Sequence, residues 1–195
     1  MVSKLSPTAA QIVASARALL ATRGYNGFSY ADIAEAVGIS KPSIHHHFPS
    51  KAALVRHVVV GYREEALQGM SALNEQVADP VARLQAWTHY LQSCLRDGTL
   101  PFCICAMLAT EMPTIPDEVG VVVRGHFDDL SGWIGALLAE GVHAGRVVLR
   151  GPARTEALAL MAAVHGAMIS ARAYDDPALF ATISDALVAR LLPAR

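Results

Sequence analysis

The chain lacks the features of a membrane-spanning, secreted or disulfide-stabilised protein. Its most apolar stretch, residues 119–142, is broken by Arg124, His126, Asp128 and Asp129, so no uncharged run of membrane-spanning length remains. The first residues do not form a charged segment followed by an apolar leader. The three cysteines are an odd number with no small-domain framework. We therefore expect a cytoplasmic protein that does not enter a membrane.

The sequence patterns of common enzymes are also missing. G-x-S-x-G, H-E-x-x-H, P-loop and G-x-G-x-x-G motifs do not occur, and neither does an internal repeat. On a helix His45, His46 and His47 would lie about 100° apart, so they do not converge on one ion. The sequence therefore predicts no enzyme activity, no cofactor and no metal site.

Charge is scarce and unevenly distributed. Of the 195 residues 17% are charged and 53% are hydrophobic, which is typical of a well-buried globular protein. The net charge of −1 does not by itself indicate nucleic-acid binding. Residues 1–51, however, hold five basic and two acidic side chains, a net charge of +3 that leaves −4 for the rest. A basic first module on an acidic body fits DNA contact by the first module only.

The stretch 28–54 has the pattern of a helix-turn-helix followed at once by another helix. Ser29 is placed to cap a short amphipathic helix, and Gly38 is suited to end it because glycine tolerates a positive φ. Ser40 then caps a second helix, which Pro49 ends. Two short helices joined by a tight turn are the arrangement with which many proteins enter the major groove of DNA.

The second helix, residues 41–48, has few apolar side chains. Only Ile44 and Phe48 can anchor it, and their spacing of four places them on one face. The other sides offer Lys, Ser and His, which donate hydrogen bonds to phosphates and base edges. A helix this polar is suited to contact DNA.

These residues also resemble a known family, that of the tetracycline-repressor (TetR) transcription regulators. The similar run is Gly38-Ile39-Ser40-x-x-Ser43-Ile44-x-x-His47-Phe48-x-Ser50-Lys51-x-x-Leu54, preceded by Ala21-Thr22-Arg23-Gly24-Tyr25, Phe28-Ser29, Ile33-Ala34 and Val37-Gly38. The likeness covers roughly a quarter of the chain. The family usually has Tyr two residues before the matched His47, where this chain has His45.

The helix-turn-helix and the resemblance together indicate the residues that contact DNA. We predict contacts from eight of them: Ser29, Tyr30, Lys41, Pro42, Ser43, His45, His46 and Lys51. Lys51, at the start of its helix, is predicted to bind a phosphate. For Ser29 and Tyr30 the alternative is a role in capping and packing. His47 has the alternative of packing under the next helix.

The rest of the chain is predicted to be helical, which gives an all-α fold of nine or ten helices. We expect a three-helix DNA-binding domain at 1–51 and an effector-binding and dimerisation domain at 52–195. Small residues recur in the helices at 117–143 and 153–174, and small residues let helix backbones approach closely. The resemblance implies that this pair forms the four-helix bundle of a homodimer; an internal bundle in a monomer is the alternative.

A short apolar helix is predicted at 102–110. Cys103 and Cys105 lie on it, and Glu111 lies at its end. The pattern resembles a TetR subgroup that includes the N-ethylmaleimide reductase repressor, in which a Cys begins a short helix and a Glu closes it. Some members of the subgroup respond to electrophiles or oxidants through this cysteine, and Cys103 is the matching position. Three interpretations remain: buried apolar packing, a reactive thiol, and a metal site that adds Cys94 and a His.

An effector pocket is predicted among the middle helices, because aromatic and Met side chains with a few polar groups are typical of a small-ligand cavity. Its candidate residues are Trp87, Tyr90, Cys94, Cys103, Cys105, Met107, Glu111 and His126. The sequence thus predicts a ligand-responsive DNA-binding regulator, most simply a repressor released from a palindromic operator in double-stranded DNA by a small molecule or electrophile. The alternatives are a cysteine-dependent redox or electrophile-handling helical protein that does not bind DNA, and a small-molecule carrier that does not bind DNA.

Overall fold

The computed structural model describes residues 5–99 and 102–193, and within these ranges it contains nine α-helices and no strand. The helices are α1 (Pro7–Arg23), α2 (Tyr30–Val37), α3 (Lys41–His47), α4 (Lys51–Gln76), α5 (Pro80–Asp97), α6 (Ile104–Ala109), α7 (Asp117–His143), α8 (Ala153–Ala173) and α9 (Pro177–Ala189). The all-α prediction is confirmed. No helix in the described ranges is long and apolar enough to cross a membrane.

Local capping groups set most of the helix ends. The Ser6 hydroxyl accepts from the Ala9 N–H at the start of α1, and the carboxylate of Asp79 does the same for Val81 at the start of α5. Gly24 follows α1 with a φ of 72°, a left-handed value that favours glycine. The short apolar helix predicted from residue 102 begins two residues later, with α6 starting at Ile104.

The chain forms two compact units. The first consists of Met1–Glu64 and Phe102–His126, and the second of Glu65–Pro101 and Phe127–Arg195. The long helices α4 and α7 therefore each contribute to both units. The domain boundary predicted after residue 51 concerns function, not compactness, so these two units do not test it. It stays a prediction.

In the first unit α1 packs against α2, α3 and α6. Ile12 and Leu20 of α1 are completely buried, as are Ile33 of α2, Ile44 of α3 and Leu54 of α4. Burying a side chain of this size stabilises a fold by about 1.5–3 kcal/mol. The core of the first unit therefore fixes α2 and α3 through one fully buried isoleucine each.

In the second unit α9 packs against both α5 and α8. Phe180 of α9 and Met168 of α8 are among its most buried side chains. An ion pair joins α5 to α7, with Arg83 Nη2 2.6 Å from Glu140 Oε1; the Arg83 side chain is buried, whereas that of Glu140 is 47% exposed. The guanidinium also donates to the Ala78 carbonyl at 2.7 Å, so the charge is compensated by hydrogen bonds as well as by its partner.

Candidate nucleic-acid interface and sensing residues

The start of α2 is fixed by a capping box. The Ser29 hydroxyl oxygen accepts from the Ala31 N–H at 3.2 Å, and the Ser29 N–H donates to Asp32 Oδ2 at 2.8 Å. Hydrogen bonds from Ser29, reinforced by Arg23, hold the pKa of the Asp32 carboxyl below its usual value. The Ser29 side chain is therefore engaged in the cap, which was the alternative to its predicted DNA contact.

The turn from α2 to α3 has the left-handed backbone conformation that Gly38 in the sequence predicts. Gly38 has φ 73° and ψ 34°, in the left-handed region. Its N–H and that of Ile39 both donate to the Ala34 carbonyl, at 2.9 and 3.1 Å. Ser40 then caps α3 by accepting from the Ser43 N–H at 3.3 Å. These short-range bonds determine how α3 leaves α2.

The helix α3 is attached to the first unit by very few side chains. Ile44 is fully buried and Phe48, the C-cap residue, is nearly so. The remaining residues of α3 are at least partly accessible: Lys41, Pro42, His45 and His46 are exposed, and Ser43 and His47 are half-buried. Five of the eight predicted DNA contacts therefore lie on α3, and four of these five are exposed.

Tyr30 connects the start of α2 to the end of α3. Its hydroxyl donates to the Phe48 carbonyl at 2.9 Å, and its ring meets the His45 ring edge-on at 4.8 Å between centroids. Burial raises the pKa of the Tyr30 hydroxyl to about 12, so the group stays a neutral donor. His45 Nδ1 lies 3.3 Å from the Pro49 carbonyl oxygen. Tyr30 thus positions α3, whereas its DNA contact stays a prediction.

Lys51 has a structural role that the sequence did not indicate. Its ammonium donates to the carbonyls of Tyr25 and Phe28, and it lies 4.6 and 4.2 Å from the centroids of the same two rings. Partial burial lowers the pKa of Lys51, and the carboxylates of Glu111 and Asp32 oppose that shift. The phosphate contact predicted for Lys51 stays untested beside this observed role.

Cys103 and Cys105 are buried free thiols in the first unit. Cys103 is the N-cap of α6, where its sulfur accepts from the Ala106 N–H and from the Tyr62 hydroxyl, each at 3.5 Å. Burial raises the pKa of both thiols, and the rise is larger for Cys105, which also lies near Cys103. A reactive cysteine needs the opposite shift, so the geometry favours packing and capping.

The other predicted effector residues are divided between the two units. Met107, Glu111 and His126 belong to the first, where the His126 ring lies 5.4 Å from that of Tyr62. Trp87, Tyr90 and Cys94 belong to the second. Trp87 packs edge-on against Trp133 at 6.0 Å, whereas Tyr90 is 61% exposed.

Two further findings bear on the sensing residues. Among the described residues, no group of three or more His, Cys, Asp or Glu side chains is placed to hold a metal ion. Tyr62 was absent from the predicted set, although it donates to Cys103 and has the Arg17 guanidinium 5.5 Å from its ring. Its helical spacing indicates only that it faces inward, so sequence alone offers no further signal.

We expect alkylation by iodoacetamide to be slow at both buried thiols at pH 7.5. The raised pKa values keep the thiols protonated, so the rate should climb steeply as the pH rises toward 9.5. Mass spectrometry of the labelled peptides measures each rate separately, with free glutathione as the reference. A rate at Cys103 above that of glutathione at pH 7.5 would contradict the packing interpretation and restore the reactive one.

Comparisons with known proteins agree with the geometry of the helix-turn-helix. A family model described as "Bacterial regulatory proteins, tetR family" matches residues 12–58. The transcriptional regulator CymR of Pseudomonas putida is 40% identical over 144 residues, which are 69% of this chain and 68% of CymR. The transcriptional repressor KstR2 of Mycobacterium tuberculosis is 31% identical over 75 residues, so the matched part spans only 38% of either protein.

Solved structures extend the likeness to almost the whole chain. A TetR-family transcriptional regulator from Agrobacterium tumefaciens is 47% identical with a TM-score of 0.93, covering 95% of this chain and 98% of that one. Reduced NemR of E. coli is 18% identical with a TM-score of 0.81, covering 97% of this chain and all of NemR, and this likeness shows a shared fold. The chain belongs to the TetR family of transcriptional regulators.

Proposed function

We propose that this regulator is a cytoplasmic homodimeric repressor that binds a palindromic operator in double-stranded DNA and leaves it when a small molecule binds. The observation that carries the proposal is the exposure of Lys41, Pro42, His45 and His46 on a helix held by Ile44 and Phe48. Such a helix fits the major groove, where phosphates and base edges accept its hydrogen bonds. The net charge of +3 over residues 1–51 favours the approach of this part of the chain to DNA.

The alternative, a redox protein that works through its cysteines, is not favoured. Family membership shows a regulator, and the burial of Cys103 and Cys105 leaves their thiols protonated and shielded. We propose a non-covalent effector that acts near Cys103, Met107 and His126. Response to an electrophile would require the buried thiols to become accessible first, which the alkylation rates test.

Lys41→Ala should weaken binding to DNA from upstream of the protein's own gene, and it should weaken binding to unrelated DNA sequences to a similar extent. Each lost phosphate contact reduces the slope of log affinity against log salt by about one. Fluorescence anisotropy from 50 to 300 mM KCl measures both quantities. Arg150→Ala is the matched control, because Arg150 is exposed in the second unit, outside α8, and the change removes the same charge. Unaltered affinity and slope in Lys41→Ala would mean that the DNA-binding face lies elsewhere.

The His45 ring is proposed to donate a hydrogen bond to the DNA backbone. His45→Phe, which keeps an aromatic ring but removes the donor, should therefore weaken operator binding. His45→Tyr, which restores the residue usual in the resembling family and supplies a hydroxyl donor, should retain it. The neighbouring groups Tyr30, Lys41 and His46 are unchanged in both variants.

The control for His45→Phe is His89→Phe, since His89 is exposed on α5 in the second unit. Anisotropy titrations at one fixed pH and salt concentration measure the operator affinity of each variant. Equal affinity in the wild type and His45→Phe would show that His45 does not donate to DNA.

The dimer is proposed to form through the outer face of α8. Leu158 and Ile169 are 42% and 54% exposed, and with Ala162 they lie at helical spacing on one face. Another face of α8 packs against α7 within the same unit. There Ala157 lies beside Gly135 of α7, so closely that a Cβ added at Gly135 would be 3.7 Å from the Ala157 Cβ. The small residues predicted for dimerisation on α7 thus serve partly in internal packing.

A charge placed on the α8 face should separate the subunits. In Leu158→Glu and Ile169→Glu, burial of an unpaired carboxylate would oppose association, and each variant should elute as a monomer in light-scattering chromatography. Operator affinity should fall with it, because the two half-sites need both recognition helices. Val121→Glu is the control, since Val121 is exposed on α7 in the first unit. An intact dimer in both α8 variants would place the interface on another surface.

A further inference from the structure

We infer that Glu111 is the positioning residue that couples α6 to the DNA-binding helices, a role that rests on the proposed ligand-controlled DNA binding. Its carboxylate does not face the buried cysteines but lies against the turn between α1 and α2. Oε2 accepts from the Tyr25 N–H at 2.5 Å, and Oε1 accepts from the Asn26 N–H and from Asn26 Nδ2, both at 3.0 Å. One carboxylate therefore accepts three hydrogen bonds from residues more than 80 positions away in the sequence.

The backbone of the turn is shaped to receive this carboxylate. Gly24 has a φ of 72°, and a Cβ added there would overlap Glu111 Oε2. The Asn26 side chain donates to Thr114 Oγ1 at 2.9 Å as well, so residues on both sides of Met112 hold the turn. Glycine thus serves two purposes at this position, conformation and close approach.

A positively charged side chain, that of Lys51, binds the carbonyl groups of the same turn. The Lys51 ammonium, at the first residue of α4, donates to the carbonyls of Tyr25 and Phe28. The turn is therefore held by an anion that follows α6 and a cation that begins α4. Hydrogen bonds with one charged partner are about twice as strong as neutral ones, so Glu111 and Lys51 hold the turn more firmly than neutral side chains would.

The other end of α6 is where an effector is proposed to act. Cys103 caps the helix there and accepts from the Tyr62 hydroxyl, and the Cys103 carbonyl accepts from the Met107 N–H at 3.0 Å. The Glu111 N–H donates to the Leu108 carbonyl at 3.0 Å, which continues the hydrogen-bonded path. A shift of α6 at Cys103 is thereby passed to the carboxylate of Glu111. Hydrogen bonds weaken steeply once their angle falls below about 120°, so a rotation of the Glu111 carboxylate would loosen the turn.

Coupling between two sites is reciprocal, which allows a test without a known effector. If Glu111 transmits the state of α6 to the recognition helices, DNA binding must in turn stabilise α6 and shield its thiols. Iodoacetamide alkylation of Cys103 and Cys105 should therefore slow about fivefold or more when DNA from upstream of the protein's own gene is bound. In Glu111→Gln, which keeps the shape but loses the charge, DNA should leave the alkylation rate nearly unchanged.

Hydrogen exchange provides the second measurement, and it does not require DNA. The amides of Tyr25 and Asn26 should exchange faster in Glu111→Gln than in the wild type, while peptides from α8 should not change. Glu118→Gln is the matched control: Glu118 is exposed on α7 and its negative charge acts on Tyr25, but within the described part of the chain it makes no hydrogen bond to the turn. Asn26→Ala, a milder change at an exposed residue, replaces Glu111→Gln if that variant does not fold.

The outcomes separate this inference from the proposed function. If the wild type binds DNA but the alkylation rates show no protection, or show equal protection in Glu111→Gln, the coupling role of Glu111 is overturned and DNA binding stands. If the wild type does not bind DNA, the proposed function fails. The exchange rates at Tyr25 and Asn26 then decide by themselves whether Glu111 holds the turn. Unchanged exchange in Glu111→Gln overturns the inference in either case.

Discussion

The arrangement of the first unit depends on how the turn between α1 and α2 satisfies its backbone. The Tyr25 and Asn26 amides follow the end of α1, and Glu111 accepts from both of them while Lys51 donates to the carbonyls of Tyr25 and Phe28. The direction of α2, and through the Gly38 turn the direction of α3, follows from that of this segment. A residue after α6 and the first residue of α4 therefore position the helix proposed to contact DNA.

Most of the fold could be predicted because most helix ends are determined locally. Ser29, Gly38 and Ser40 set their helix ends through bonds to residues within four positions, and a sequence displays such neighbours directly. The end of α9 could not be predicted in this way. No Gly or Pro follows Ala189 at once, and the Leu191 carbonyl instead accepts from the Val148 N–H at 2.8 Å, a contact that only the tertiary structure provides.

In the candidate site, too, the features set by nearby residues could be predicted and those set by distant contacts could not. The exposed side of α3 follows from the spacing of Ile44 and Phe48, and membership in the TetR family confirms the predicted class of regulator and the absence of an enzymatic role. The partners of Lys51 and Glu111 could not be foreseen, since a charged side chain at a helix end indicates a polar partner without identifying it. Glu111, predicted beside the effector, is observed holding the DNA-binding end of the first unit.

Because few side chains attach α3 to the first unit, most of its positions can change in evolution without loss of the fold. Its buried side chains, Ile44 and Phe48, carry the stability of the segment, and the exposed positions 41, 42, 45 and 46 contribute little to it. Surface substitutions of this kind usually change the free energy of unfolding by no more than about 0.5 kcal/mol. After gene duplication, one copy is therefore free to vary the four positions proposed to contact DNA while its folding persists.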